Sequence, residues 1–145
     1  MKLIAIKNAV IYKLTTSFPE HNIYGEDPGT DINKPALLVQ LNPIYMNVES
    51  RYQRRKNINI SIKFHSVNGT NDENIDMIDK LYETFDSVLA VEDRVFNIRT
   101  ARTIVKDNIL RYSFNLDLID NLKPSEEYEL MKELEIKELQ LKEEI

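Results

Sequence analysis

The clearest pattern in the chain is the alternation of polar and apolar residues over 57–64, Asn-Ile-Asn-Ile-Ser-Ile-Lys-Phe. A period of two is that of a strand with one buried face, so this segment predicts a half-buried strand. The apolar run 36–41 and its continuation to residue 48 predict the preceding strand, and Pro43 within it indicates a bulge or an edge position. The segments 36–48 and 52–65 therefore predict a long hairpin.

Helical spacing replaces this alternation in two places. Apolar residues recur every three or four positions over 3–15, which predicts an amphipathic helix that Pro19 ends. A second helix is predicted over 71–89, where Thr70 and Glu73 have the spacing of a capping box.

Shorter segments complete the order of elements. Residues 22–24 suit a short strand, and the polar stretch 25–34 with its two glycines suits a loop. Residues 94–105 and 109–119 predict two strands joined by a polar turn. The order is thus helix, short strand, hairpin, helix, hairpin and a last helix.

The last helix is predicted over 125–143, after Pro124, with glutamates in its first turn. Residues 123–145 hold eight glutamates and four lysines, and so carry −4 of the formal net charge of −5. Its apolar residues do not form one stripe, which indicates either a partner that covers a second side or a frayed tail. We expect a partner to contact Tyr128, Met131, Leu134, Ile136 and Leu139.

These elements predict an α+β fold, a four-stranded, mostly antiparallel sheet with helices packed on one face, plus a C-terminal helix. At 145 residues the chain is long enough to bury a core without staples. We expect one α+β domain over 1–122, followed by a charged helix over 123–145.

Composition removes several classes of function. The chain has no cysteine, which excludes disulfides, thiolate metal sites and a cysteine nucleophile. No apolar run approaches the length of about 18 residues that a membrane span needs, and the N-terminus does not resemble a signal peptide. A net charge of −5 disfavours nucleic acid as a partner unless a local basic patch opposes it.

Catalytic equipment is sparse in the sequence. His21 lies in a predicted loop and His65 at a predicted strand end, and neither belongs to a metal-binding or nucleophile motif. We therefore expect no enzymatic activity, no cofactor and no metal.

Two charged segments are candidate contact surfaces. The segment 51–56 carries Arg51, Arg54, Arg55 and Lys56 around a tyrosine. It could be a strand end whose charges discourage edge pairing, a patch for an acidic partner such as a second copy, or a nucleic-acid site. The polar loop 25–34 carries three carboxylates, Glu26, Asp27 and Asp31. Loops of this length often form binding or assembly surfaces.

The order of these segments resembles a known family. A Gly-Glu-Asp loop leads into Lys-Pro-Ala-Leu-Leu-Val-Gln-Leu at 34–41, and Arg-Tyr-Gln-Arg-Arg at 51–55 runs into the alternating strand. Asp-Lys-Leu-Tyr-Glu-Thr-Phe at 79–85 and the strand at 110–118 follow. Over about residues 1–136 the chain is similar to the tail terminator proteins of contractile-tailed prophages and phage-tail-like bacteriocins.

The resemblance implies a structural role with a lambda-type terminator fold. Such proteins form a ring, a hexamer, on the end of the tail tube, which stops tube growth and holds the last sheath ring. The implied partners are further copies of the chain, the tube protein, the sheath protein and neck or connector proteins, with no membrane and no direct nucleic-acid contact. The chain would assemble in the bacterial cytoplasm and then form part of the tail, as a collar where no head is present.

The interface residues follow as a hypothesis. Loop residues Glu26, Asp27 and Asp31 and the basic cluster would contact neighbouring copies or the tube, and the helix 125–143 would contact an adjacent subunit or the sheath. Two alternatives stay open, another neck or tail-completion protein and a small RNA-binding regulatory domain that uses 51–56.

Overall fold

The computed structural model describes residues 2–121. Local patterns account for most of its elements, because strands follow the alternating segments and helices follow the segments with helical spacing. In chain order these are α1 (Leu3–Ser17), β1 (Asn22–Tyr24), β2 (Ala36–Val48), β3 (Gln53–His65), α2 (Asn71–Thr84), β4 (Val88–Val91), β5 (Arg94–Asn97), β6 (Ala101–Lys106) and β7 (Ile109–Asn121). The predicted helix over 125–143 lies outside the described residues.

The main sheet differs from the predicted one in its strand count and direction. It has five strands in the order β1-β2-β3-β7-β6. Neighbours are antiparallel except for β1, whose residues Asn22–Tyr24 pair in parallel with Ala36–Leu38. The predicted count of four strands was therefore wrong. Three of the four pairings are antiparallel as predicted, and the 25–35 connection is long enough to return β1 alongside β2 in the same direction.

A second sheet of two strands, β4 and β5, was not predicted. The helix predicted over 71–89 ends at Thr84, and Ser87 adopts a φ of 58° before β4 begins. Leu89 and Phe96 face each other across this small sheet and are both buried. Leu89 fits both a helical and an alternating pattern, so its spacing could not distinguish the two.

The strand predicted over 94–105 is divided between the two sheets. Ile98, the residue after β5, still donates its N–H to the Ser87 carbonyl at 2.8 Å, which extends the β4–β5 pairing by one step. The chain rejoins the main sheet at Ala101, which pairs with Phe114 of β7. Pairing with two different sheets thus divides a segment that the sequence pattern predicts as one strand.

One face of the main sheet holds the core. Alternate residues of β7 from Leu110 to Leu118 are buried, and so are alternate residues of β3 from Ile58 to Phe64. Both helices pack on this face, with Ile6, Val10 and Leu14 of α1 in the same cluster. The predicted α+β layering, with helices on one face, is confirmed for the described residues.

An aromatic group lies where α2 meets β7. Phe85, at the end of α2, stacks near Tyr112 with ring centroids 6.0 Å apart, and Tyr82 meets Tyr112 edge-on at 5.2 Å. Burial, to which the neighbouring Tyr82 adds, raises the pKa of Tyr112 to about 12. The ring therefore stays neutral and belongs to the core.

The opposite face of the sheet is polar, and no helix of residues 2–121 covers it. Its central row runs through Asn42, Asn59 and Asn115, which face one another across β2, β3 and β7. The Asn59 amide nitrogen donates to the Asn115 side-chain oxygen at 2.8 Å. Antiparallel sheets commonly have one solvated face of this kind.

Candidate interaction surface

The β2–β3 hairpin extends past the helices that cover the rest of the sheet. Each of its strands has 13 residues, about 43 Å at the usual rise, whereas the 15 residues of α1 span about 22 Å. The first four residues of β2 are buried, and the residues from Pro43 onward are exposed. We call residues 43–56 the distal hairpin.

The predicted irregularity at Pro43 is a bulge, and it sets which side chains face which way. Pro43 pairs with Ile58, but the next paired residue, Tyr45, faces Asn57, so Ile44 is the extra residue. Beyond the bulge Met46 lies opposite Lys56, on the same face of the sheet as the helices. A bulge changes which residues occupy each face of the rest of the strand.

Apolar side chains are exposed along the distal hairpin. Met46 is 61% exposed and Val48 is 70% exposed, both on the helix-side face. Three further large apolar side chains accompany them, Ile44, Tyr45 and Tyr52. A cluster of exposed apolar residues at one end of a sheet is typical of a contact surface.

The basic cluster does not form one patch, because successive residues of a strand face opposite ways. Lys56 and Arg54 precede the buried Ile58 by two and four residues, so they lie on the same, helix-side face. Arg55 lies on the polar face. Residues that are adjacent in sequence are thus separated by the thickness of the sheet.

On the helix-side face, Lys56 forms part of an ion-pair group with Asp120 of β7. The Lys56 Nζ lies 3.2 Å from Asp120 Oδ2, and Arg94 Nη1 of β5 lies 2.9 Å from Asp120 Oδ1. A second guanidinium nitrogen of Arg94 donates to the Ile119 carbonyl at 2.9 Å. Arg94 therefore fastens the small sheet to the end of β7.

The pKa of Asp120 is lowered from its ordinary value. Burial alone would raise this pKa, but hydrogen bonds from cationic groups, Lys56 and Arg94 among them, outweigh the burial. The carboxylate is therefore charged at neutral pH, and it holds its neighbours in place.

On the polar face, Arg55 is also paired. Its Nε lies 3.2 Å from Glu49 Oε1, and its Nη1 lies 3.2 Å from Asp117 Oδ2. These groups are more exposed than Asp120, so the pairs contribute less to stability. Because Arg55 and Lys56 already have carboxylate partners, less positive charge remains for the phosphates of a nucleic acid.

The two remaining cations lie at the tip of the hairpin. Arg54 donates from Nη1 to the carbonyls of Ser50 at 3.0 Å and Gln53 at 3.2 Å, which braces the turn. Among residues 2–121 no carboxylate lies within ion-pair distance of Arg51 or Arg54. Their charges are therefore not offset by an ion pair within the described residues.

The polar loop is structured by its own side chains. Asp27 Oδ1 accepts a hydrogen bond from the Gly29 N–H at 2.8 Å, and Gly29 has a φ of 68°, a conformation that favours glycine. Asn22 donates from its side chain to the Asn33 carbonyl at 2.8 Å, which ties the end of the loop to β1. Glu26, Asp27 and Asp31 are all exposed.

The loop and the basic cluster lie at opposite ends of β2. The loop leads into Ala36 at the start of the strand, whereas Val48 at its end pairs with Arg54. The structure therefore separates these two predicted contact regions by nearly the full length of a strand, about 40 Å. The remaining predicted contact residues, Tyr128, Met131, Leu134, Ile136 and Leu139, lie outside the described residues.

The two histidines are partly buried, and both have a lowered pKa. The His21 ring packs against Phe18 and Phe64 at 5.4 and 5.9 Å, and its pKa is lowered by burial and then by Lys80. Burial, followed by two nearby lysines, also lowers the pKa of His65.

Among residues 2–121 no cluster of three metal-ligating side chains occurs. Neither of the two described helices is long and apolar enough to cross a membrane.

Sequence reasoning missed the ion pairs and the exposed apolar residues. A signal for the first was present, because Lys56 and Asp120 continue the buried alternations of their strands and a charge at such a position needs a partner. The exposure of Met46 and Val48 had no signal, because it depends on where the helices end.

The structure thus describes a small α+β protein with an exposed acidic loop at one end of its sheet and an exposed hairpin with apolar and basic side chains at the other. A family model described as phage tail terminator protein matches residues 5–129. The chain therefore belongs to the phage tail terminator protein family, a family of structural components of the phage tail. No curated protein is similar enough to the chain to count as a match.

Proposed function

We propose that this chain is a structural tail terminator that caps the tail tube as a ring, stops tube growth and anchors the last ring of the sheath. The observation that carries the proposal is the family match over residues 5–129. The earlier resemblance to contractile-tailed particles supports the sheath contact, and the ring would be a hexamer with a lambda-type fold. The role is structural, without catalysis.

A ring needs two different surfaces on each copy, since head-to-tail contacts join unlike faces. The described residues offer two such surfaces at opposite ends of β2, the polar loop with Glu26, Asp27 and Asp31 and the distal hairpin. Their charges are opposite, because the loop is acidic and the hairpin tip carries Arg51 and Arg54. This arrangement favours contact between the loop of one copy and the hairpin of the next, or between the hairpin and the tube.

The members of the basic cluster have different roles in this proposal. Arg51 and Arg54 contact the neighbouring copy or the tube, whereas Arg55 and Lys56 hold the hairpin through Glu49, Asp117 and Asp120. The predicted helix 125–143, part of the separate segment 123–145, contacts an adjacent subunit or the sheath.

The remaining partners are the tube protein, the sheath protein and, where a head is attached, neck or connector proteins. Assembly takes place in the bacterial cytoplasm, after which the chain is part of the tail or of a headless particle.

The test is the length of the tail tube in particles assembled with and without this chain, measured by electron microscopy. Overlong or heterogeneous tubes in the absence of the chain support the proposal. Uniform tubes of normal length without the chain would overturn it and would favour another tail-completion role. A control that restores the chain from a second gene copy must restore the normal length.

A further inference from the structure

The helix-side face of the distal hairpin lacks a covering element among residues 2–121. Met46 and Val48 lie on this face and are largely exposed, beyond the start of α1 at Leu3. Beside Met46 a small hollow of about 100 Å³ is lined by apolar residues, among them Leu3 and Ile58, and by one charged residue, Lys56. The face therefore presents exposed apolar side chains against which a further segment can pack.

The chain itself continues beside this face. β7 ends at Asn121, which pairs with Gln53 at the distal end of β3. Val48 lies two strands away from Asp120, across Arg54, so residues 122–145 begin about 10 Å from Val48 at the usual strand spacing. Three residues of extended chain span about that distance, so the segment can reach the face directly after Pro124.

The segment 122–145 has the negative charge and the apolar side chains that would complement this face. It carries eight glutamates against four lysines, and it contains leucine, isoleucine, methionine and tyrosine side chains on more than one side of the predicted helix. The face offers apolar side chains together with Arg54, and Arg51 lies in the adjoining turn. No carboxylate of residues 2–121 lies within ion-pair distance of either arginine. The charges and the apolar surfaces are thus complementary.

We propose that in the free chain residues 122–145 dock on the helix-side face of its own distal hairpin. Apolar residues of the segment cover Met46 and Val48, and its glutamates lie near Arg51 and Arg54. The inference does not depend on capping of the tube. During assembly the same segment would exchange this intramolecular contact for one with a neighbouring subunit or the sheath.

The short connection favours the chain's own hairpin over that of a second copy. A tether of a few residues gives an effective concentration in the millimolar range. A second copy would compete at the protein concentration alone, which is far lower in dilute solution.

The full-length chain allows a direct test, because it has no cysteine and only four methionines. We would introduce Glu133→Cys, attach a nitroxide to it and record the ¹³C-methyl spectrum of methionine with the nitroxide oxidised and then reduced. The proposal expects the Met46 methyl signal to be lost in the oxidised sample and recovered on reduction. Met131, two residues from the label, reports that labelling succeeded, and the buried Met77 reports that the fold is intact.

A matched variant separates docking from mere tethering. In Glu133→Cys with Leu134→Asp and Leu139→Asp, the segment keeps its length but loses apolar residues, so the Met46 signal should return in the oxidised sample. Equal loss of the Met46 signal in both labelled proteins would overturn the proposal. A Met46 signal that persists in both oxidised samples would overturn it as well.

A mixing experiment identifies the occupant. One chain carries the nitroxide but no ¹³C, and it is mixed with a second chain that carries ¹³C-methyl methionine but no nitroxide. An unaffected Met46 signal in the mixture supports docking within one chain. Loss of that signal in the mixture would overturn it in favour of a second copy. Tube length is a separate readout, so failure here leaves the capping proposal to its own test.

Discussion

Lys56 and Asp120 form an ion pair across β3 and β7, with 3.2 Å between Nζ and Oδ2, at positions that continue the buried alternations of both strands. Arg94 of the small sheet joins the same carboxylate at 2.9 Å. One carboxylate thus connects the hairpin, the last strand and the second sheet. These charges at the edge of the core keep the distal hairpin aligned with β7.

Replacement of this carboxylate should therefore destabilise the protein more than loss of an exposed one. Asp120→Asn leaves Lys56 and Arg94 without their charged partner in partly buried surroundings, and we expect a loss of about 1–3 kcal/mol in the free energy of unfolding. Asp117→Asn, which removes the exposed partner of Arg55, should cost less than about 1 kcal/mol.

The measurement is urea unfolding followed by circular dichroism at pH 7. Equal losses for the two variants would contradict the assigned difference between the helix-side pair and the polar-face pair.

The tip of the hairpin offers a test of the contact surface. Arg51→Glu reverses a charge that lies between β2 and β3 and has no carboxylate partner among residues 2–121, so the fold should persist while tube capping fails. Tubes assembled with this variant should be overlong or heterogeneous in electron micrographs. Arg54 and Arg55 are poorer probes. Arg54→Glu places a carboxylate directly opposite Asp120, and Arg55→Glu places a third carboxylate beside Glu49 and Asp117.

Arg111→Glu is the matched control, because it makes the same charge change on the polar face, opposite Lys63. It should leave tube length normal, and it relieves a pairing of like charges across two strands. Normal capping by Arg51→Glu would remove Arg51 from the contact surface.

Stability should fall between about pH 7 and pH 5 because of the two histidines. The pKa values of His21 and His65 are both lowered in the folded chain, chiefly by burial. The unfolded chain therefore binds protons more readily, so the stabilisation is complete above the ordinary value of 6.5 and is lost as pH falls through the lowered values. The lowered pKa of Asp120 acts in the same direction, but only in more acidic solution.

The measurement is the urea midpoint at pH 7.5 and pH 5.5, for the parent chain and for His21→Gln with His65→Gln. The midpoint of the double variant should vary less over this range. An equal fall in both proteins would assign the pH dependence to other groups.

The start of α2 should depend on its cap. Thr70 Oγ1 accepts a hydrogen bond from the Glu73 N–H at 3.3 Å and donates to the Glu73 carboxylate at 3.1 Å. Thr70→Ala removes both contacts, and we expect a loss of about 1 kcal/mol in the free energy of unfolding.

Thr84→Ala is the control, because Thr84 Oγ1 only donates back to the Lys80 carbonyl within the same helix. It should cost less than Thr70→Ala when both are measured by urea unfolding. The reverse order would contradict the role of the cap.

Periodicity predicted the elements whose burial follows one clear period. The alternation over 57–64 became the centre of β3, and the alternation over 109–119 became most of β7. The capping box at Thr70 marked the start of α2 correctly. In these places the local pattern and the tertiary environment agree, because the same face is apolar in the sequence and buried in the fold.

Other features required the three-dimensional arrangement. The sequence alone located the alternating strands, the start of α2 and the charged segments, because those depend on spacing along the chain. The parallel return of β1, the second sheet, the pairing of Lys56 with Asp120 and the exposure of Met46 followed from strand register and from where the helices end. Register and coverage depend on contacts between residues far apart in the chain, and no local period encodes them.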